Sequence, residues 1–322
     1  MYQVLYLGKV FRKFKRPGAI VVKVLITGGT GFIGKKLANL LKDKHEVHIL
    51  DKNPDPESTQ TFKTFYFDMS EKHLFDSLDK DYDIVFHLAA QSGGYYSLIN
   101  PQDDCDWNCK ATVNLVEFCL GIKPRKVVFT SSMAVYGNAS GVTEESPTNP
   151  LSYYGVSKLA SENYIKLLKE HSDVTYSIYR LFATYGSDQD LSNLHQGIVS
   201  IYLSYAIKDR EIPITGRMDR VRCLVHVNDV CSALEMAMND SQTDNNTYNL
   251  LNEEVCTPKI IVNTIAKSMG ENIKIIENEG YLGDQTFITG DNTKLKSTGW
   301  SPSLNLAQGI SEFYSNIEGN NG

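Results

Sequence analysis

Two short segments of the 322-residue sequence combine residue types and spacings that could do chemistry. The first is Tyr154-Gly155-Val156-Ser157-Lys158, with a phenol and an ammonium at i and i+4. On a helix these positions share one face. A neighbouring ammonium favours tyrosinate and lowers the phenol pKa from about 10. A phenol tuned in this way can take a proton from a hydroxyl while hydride leaves the same carbon. Taken alone, Tyr-x-x-x-Lys equally describes an exposed amphipathic helix. The second segment is Thr27-Gly28-Gly29-Thr30-Gly31-Phe32-Ile33-Gly34. Gly28, Gly31 and Gly34 are spaced so that the backbone of a tight turn can approach a pyrophosphate, with a helix N-terminus opening at Phe32 and Ile33 to face its charge.

Further residues extend this dinucleotide reading. Asp51 follows Gly28 by 23 residues. A carboxylate at such a strand end accepts hydrogen bonds from the adenosine ribose and repels a 2′-phosphate, which favours NAD over NADP. Lys52, next in the chain, would soften that repulsion. Phe67-Asp68-Met69 closes a later strand, where Asp68 suits either the adenine amino group or an N-cap.

Groups this far apart in sequence need a frame. Strand candidates 4–8 residues long, β-branched or aromatic, lie at 22–27, 46–50, 63–67, 84–87, 126–130 and 175–180. Helical patterns at 32–43, 71–79, 98–121 and 150–171 alternate with them. This order predicts an α/β fold with a doubly wound parallel (Rossmann) sheet covered on both faces. After residue 182 the alternation weakens, with helices expected at 195–209, 258–269 and 304–317. The division expected is a dinucleotide-binding domain over 22–182 and a smaller mixed substrate domain over 183–322. Segments near 222–252, Tyr248–Leu251 among them, return to the first domain.

Composition bounds the function classes. A 42% apolar and 22% charged chain is an ordinary globular protein. A net charge of −6 gives no sign of a general nucleic-acid binder, and no apolar run has the roughly 18 residues that a membrane span needs. Six cysteines without a Cys-x-x-Cys pair or a flanking His cluster indicate reduced thiols in a cytoplasmic protein and no metal site. Residues 1–21 form a basic extension with five bases and no acid. It lacks the order of a secretory signal. Val22-Lys23-Val24-Leu25-Ile26 has the form of a chain opening, so one reading makes Val22 the true start, and another makes the extension a peripheral anchor.

A third segment, Phe129-Thr130-Ser131-Ser132-Met133-Ala134-Val135-Tyr136-Gly137, closes a strand about twenty residues before Tyr154. With these three elements in this order, residues 22–315 resemble the extended short-chain dehydrogenase/reductase family, in its NAD-dependent epimerase/dehydratase branch. The resemblance implies Tyr154 as acid/base, Ser132 on the reacting sugar oxygen, and Lys158 on the nicotinamide ribose. It places Leu88, Ala89 and Ala90 of His87-Leu88-Ala89-Ala90 along the cofactor groove, and assigns Asn108, behind the site, to the cofactor as well. Ser92, Arg222 and Asp229 fall on the substrate side, Arg222 against a nucleotide diphosphate. It also implies a homodimer through the helices at 98–121 and 150–171. One departure bears on substrate. Where the family carries Arg-x-Phe-Asn-x-Tyr-Gly-Pro, this chain has Arg180-Leu181-Phe182-Ala183-Thr184-Tyr185-Gly186-Ser187.

Ser132-Met133-Ala134 narrows the reaction. Related dehydratases carry Thr-Asp-Glu here, and Met133 and Ala134 cannot transfer protons. One hydride carrier, one Tyr and one Ser suffice for reversible oxidation at C4. Residues 193–202 also resemble the substrate-domain helix of UDP-glucose 4-epimerase-like proteins. The expectation is an NAD-dependent UDP-sugar 4-epimerase, acting on UDP-glucose or a UDP-N-acetylhexosamine. The alternatives are a 4-keto nucleotide-sugar reductase and a non-catalytic dinucleotide sensor.

Overall fold

The computed structural model describes residues 21–194, 197–280 and 287–320. All five bases of the N-terminal extension lie outside the described residues. Along the chain come β1 (Lys23–Thr27), α1 (Phe32–Leu41), β2 (Glu46–Asp51), α2 (Pro56–Thr61), β3 (Lys63–Tyr66) and β4 (Ile84–His87). Next are α3 (Gly94–Ile99), α4 (Pro101–Asp104), a π-helical stretch Cys105–Lys110, α5 (Ala111–Ile122) and β5 (Lys126–Ser132). They are followed by β6 (Ala139–Val142), α6 (Tyr153–His171), β7 (Thr175–Leu181), β8 (Ala183–Tyr185), α7 (Ile198–Asp209), β9 (Glu211–Thr215) and β10 (Val221–His226). The last described elements are α8 (Val227–Asn239), β11 (Asn246–Leu250), β12 (Val255–Cys256), α9 (Pro258–Met269), β13 (Lys274–Asn278), β14 (Phe287–Gly290), α10 (Thr293–Lys296) and α11 (Leu306–Asn320).

Seven strands pair in parallel in the order β11-β7-β5-β4-β1-β2-β3. Such a sheet is buried on both faces, so its strands are continuous apolar runs. Val24, Leu25 and Ile26 of β1 are all fully buried. Val24 and Ile26 pack with Leu37 and Ala38 of α1 and Leu234 of α8, while Leu25 faces Leu115 of α5 and Ile165 of α6. The direction of winding reverses between β1 and β4, opening a crevice at their C-terminal ends where such folds bind ligands. A five-stranded sheet, β12-β10-β14-β6 with β8 on β10, and the β13–β9 pair build a second, smaller part of the molecule. Their apolar core includes residues of α7, α9 and α11.

The strands expected in the first half occur within two residues of their predicted ends, and the helix at 258–269 matches α9. Three regions differ from these expectations. The expected helix 98–121 is divided because Pro101 lacks an amide donor and holds Asn100 out of the helical region, at φ −132°. It is then interrupted by the π-helical stretch, which carries Trp107 and Asn108. Residues 72–77 make only a 3₁₀ turn, and Glu71, at its N-cap, gives no side-chain cap. The return of residues 222–252 is split: α8 packs on α1 and β11 pairs with β7, whereas β10 belongs to the second sheet.

Candidate active site

β1 runs into the glycine turn, and the Gly28 amide donates to the Leu50 carbonyl at 2.8 Å. Gly28 has φ +70°, and a Cβ there would lie 2.6 Å from the Ala89 amide nitrogen. A Cβ on Gly34 would collide with the Gly28 carbonyl oxygen. The turn therefore admits close approach only without side chains, which is the requirement for a pyrophosphate seated on a helix N-terminus. Above it opens a cleft of about 1400 Å³, lined by Gly28, Gly31, Phe32, Ile33 and Gly34. Asp51 closes the next wall, accepting from Thr30 N and Asn53 N, both at 3.1 Å. Leu88, Ala89 and Ala90 line the groove, and the Ala89 amide is fixed by the Thr27 hydroxyl at 3.2 Å. These residues fit NAD: glycine backbone for the pyrophosphate, a carboxylate for the ribose, small side chains along the groove.

Asp68 and Met69 line the same cleft. Asp68 accepts from Ser70 N at 2.8 Å and from Trp107 Nε1 at 3.0 Å. It is not the N-cap, a position that Glu71 takes in the 3₁₀ turn. Trp107 itself lines the cleft and was not legible as a site residue. The one signal was its place beside Asn108.

Ser132 ends β5, and α6 brings Tyr154 and Lys158 to it. Ser152 caps that helix by accepting from Gly155 N at 3.1 Å. All three side chains line the cleft. Burial pushes the Tyr154 phenol up to about 12, against the opposing pull of the Ser132 hydroxyl near it. The Lys158 ammonium lies 4.3 Å from the centre of the Phe129 ring. Burial lowers its pKa to about 7, against the pull of the Glu162 and Asp104 carboxylates. The tuning expected from the i, i+4 spacing is therefore not the dominant force on Tyr154 here.

Behind this face stands a layer of buried polar groups. Asn108 does not line the cleft, which corrects its assignment to cofactor contact. Its amide donates to Gln91 O, Asp104 Oδ1 and Ser157 Oγ and its oxygen accepts from Gln91 N, so it fastens the post-β4 loop and α6 to the π-helical stretch. His87 bridges Thr27 at 2.8 Å and Thr112 at 3.0 Å; burial, with the Lys158 charge adding, lowers its pKa to about 3. Arg180 holds Glu162 through two bonds of 2.9 and 2.8 Å, and Glu162 also accepts from Ser131 at 2.6 Å. A buried, fully bonded pair of this kind fixes geometry.

The far end of the cleft is lined by Arg222, with Arg220, Tyr202, Tyr205 and Asn278, and Ser92 lies on the post-β4 side. Arg220 was missed because nothing in its sequence neighbourhood distinguishes it from a surface arginine. Asp229 is a correction: it sits in the first turn of α8, buried, and accepts from Ser303 N at 2.9 Å, Ser303 Oγ at 2.6 Å and Leu304 N at 3.4 Å. Its carboxylate ties the chain before α11 to α8 and does not reach the cleft. Ala183 and Thr184 do line it, and Thr184 donates to the Phe182 carbonyl at 3.1 Å. Gln189 and Asn193 line the same wall. His195 and Gln196, within the expected substrate helix, lie outside the described residues.

Residues 24–250 match the model of the NAD dependent epimerase/dehydratase family. A UDP-glucose 4-epimerase of Mycolicibacterium smegmatis is 31% identical over 315 residues, covering 92% of this chain and 99% of that protein. The NAD complex of Thermus thermophilus UDP-glucose 4-epimerase superposes with a TM-score of 0.85 at 27% identity, over 92% of this chain and 99% of that one. The Bacillus cereus UDP-glucuronic acid 4-epimerase, with UDP-glucuronic acid and NAD, gives 0.85 at 25% identity over the same shares. The chain belongs to the NAD dependent epimerase/dehydratase family, with NAD as its cofactor.

Proposed function

For this family member we propose reversible inversion at C4 of a UDP-sugar, UDP-glucose or a UDP-N-acetylhexosamine, through a transient 4-keto sugar. One observation carries the reading. Ser132, Tyr154 and Lys158 line one cleft with the glycine turn, while Met133 and Ala134, lining it beside them, offer no further proton donor or acceptor. An elimination or decarboxylation needs such a group, and oxidation and reduction at one carbon do not.

NAD, when bound, supplies a reversible hydride acceptor for C4. Tyr154 takes the C4 hydroxyl proton and later returns it, while Ser132 holds the same oxygen. The phenol starts from about 12. Proton transfer therefore depends on positive charge beside it, from Lys158 and the oxidised nicotinamide. Arg222 binds the diphosphate, to which guanidinium is matched in charge and geometry. Ala183 offers no amide, so Thr184 and the loop at 188–194 bear on which sugar is accepted.

Two copies pair through α6. Tyr153, Val156, Tyr164 and Leu167 leave an exposed apolar stripe at helical spacing on its outer face. Six unpaired thiols support a cytoplasmic setting, and among the described residues no helix is long and apolar enough to cross a membrane. Incubation with a panel of UDP- and GDP-sugars, with products resolved by NMR, tests the reading. Interconversion of C4 epimers of one UDP-sugar is expected. Reduction of a 4-keto sugar at the expense of added NADH or NADPH, without epimerisation, would replace the epimerase by a reductase.

A further inference from the structure

The adenosine end of the cleft holds an arrangement that the reaction does not use. Lys52 follows Asp51 directly, at the place where a cation would meet a 2′-phosphate on the cofactor. Its ammonium sits 3.0 Å from the centre of the Trp107 ring. That ring is itself held on two sides. Trp107 Nε1 donates to Asp68 Oδ2 at 3.0 Å, and Tyr96 stacks on it with centroids 6.1 Å apart and planes at 21°. Tyr96 is anchored in turn through its hydroxyl to Asp103 at 2.9 Å. The carboxylates of Asp51, Asp68 and Asp103 all bear on the Lys52 charge. Lys52, Trp107, Asp51 and Asp68 line one wall of the cleft.

We infer that Trp107 is a specificity-determining residue that sequesters Lys52 on its ring face and so preserves the preference for NAD over NADP. Asp51 alone repels a 2′-phosphate, and a neighbouring lysine free to swing toward that phosphate would cancel much of the repulsion. A cation seated on an indole face is attracted by the ring's quadrupole, most strongly when partly desolvated. Moving it to a phosphate first breaks that contact. Asp68, whose two side-chain oxygens are both taken by the protein, acts here as a positioning residue that fixes the ring. The two sides of the clasp come from different elements, the end of β2 and the π-helical stretch.

The test is calorimetric titration of NAD and NADP into the wild type, Trp107→Met, Trp107→Phe, Lys52→Ala and the double variant Trp107→Met/Lys52→Ala. Trp107→Met should shift the ratio of the two affinities toward NADP by about 5- to 10-fold, the scale of a partly desolvated cation–π contact. Trp107→Phe keeps a ring face and should keep most of the NAD preference. The double variant should return to the wild-type ratio, because the gain belongs to Lys52. A ring with a merely structural role would weaken both cofactors alike. An unchanged ratio in Trp107→Met, or a shift that survives removal of Lys52, overturns the inference. Lys52→Ala tests the same idea even if the tryptophan variants fold poorly. It should leave NADP affinity unaltered, and a marked loss would overturn the inference by showing that Lys52 already serves the phosphate.

Discussion

The two walls of the cleft are made differently. The cofactor wall is backbone: a glycine turn between β1 and α1, small residues after β4, and one carboxylate at the end of β2. The substrate wall is side chain: arginines from β10 and the turn before it, tyrosines from α7, and Asn278 from β13. Parallel strands hold the first wall in one register along its whole length, whereas the second draws on short strands of two smaller sheets, one of five strands and one of two. A wall made of backbone tolerates little substitution and serves one ligand. A wall made of side chains can be re-cut residue by residue, which is where members of one family can differ in the sugar they take.

That contrast can be broken by mutation, and the largest effect should come from the backbone wall. Gly34→Ala places a methyl against the Gly28 carbonyl. It should cost about 3 kcal/mol of stability, the upper range for overpacking, and abolish NAD retention through gel filtration. Retention of NAD at wild-type levels would show that the turn is pliable and the contrast overdrawn. Tyr154→Phe keeps the ring and loses the proton. Turnover should fall at least about 100-fold with NAD content intact, the low end for general acid–base catalysis; near-normal turnover removes Tyr154 from the chemistry.

Arg222→Ala sharpens the division between the walls. The Michaelis constant for the nucleotide sugar should rise about 30- to 1000-fold, the roughly 2–4 kcal/mol of a truncated charge pair, while NAD affinity measured by calorimetry stays put. Equal loss for both ligands would mean the walls are not independent.

The smallest effect concerns stability and pH. Lys158 has its pKa lowered by burial to about 7. A cation titrating at a lower pH when folded than when unfolded leaves the folded state with fewer protons, so its destabilising effect is full below about pH 7 and fades as pH rises toward the unfolded value near 10.4. Lys158→Met should therefore raise the melting temperature by a few degrees near pH 6 and by less near pH 9. A gain independent of pH would show that Lys158 is not held against its charge.

Legibility in the sequence follows the same contrast. The glycine turn, Asp51, Ser132 and the Tyr154–Lys158 spacing are local, each lying within one strand–loop or one helix, and all line the cleft. Asp229 misled because its motif is local but its partners, Ser303 and Leu304, are more than seventy residues away. Trp107 and Arg220 were invisible for the same reason: only the fold brings Trp107 to Asp68 and Lys52, and Arg220 to Tyr202. Asn108 lies behind the site as the resemblance implies, but its two amide hydrogens are shared among Gln91 O, Asp104 Oδ1 and Ser157 Oγ, leaving none for a cofactor. The π-helical stretch had no signal in the sequence pattern, since its residues are as helical in period as those of α5.

The central claim is that hydride leaves and returns to C4 within one cleft, with Tyr154 as the only proton carrier. UDP-glucose deuterated at C4, incubated with the protein and no added reductant, tests it most directly. The account predicts UDP-galactose that keeps the deuterium at C4, with no net change in reduced-nicotinamide absorbance and no product from Tyr154→Phe above about one part in a hundred of the wild-type rate. Loss of the label to water, or turnover only with stoichiometric oxidation of added NADH, would contradict it.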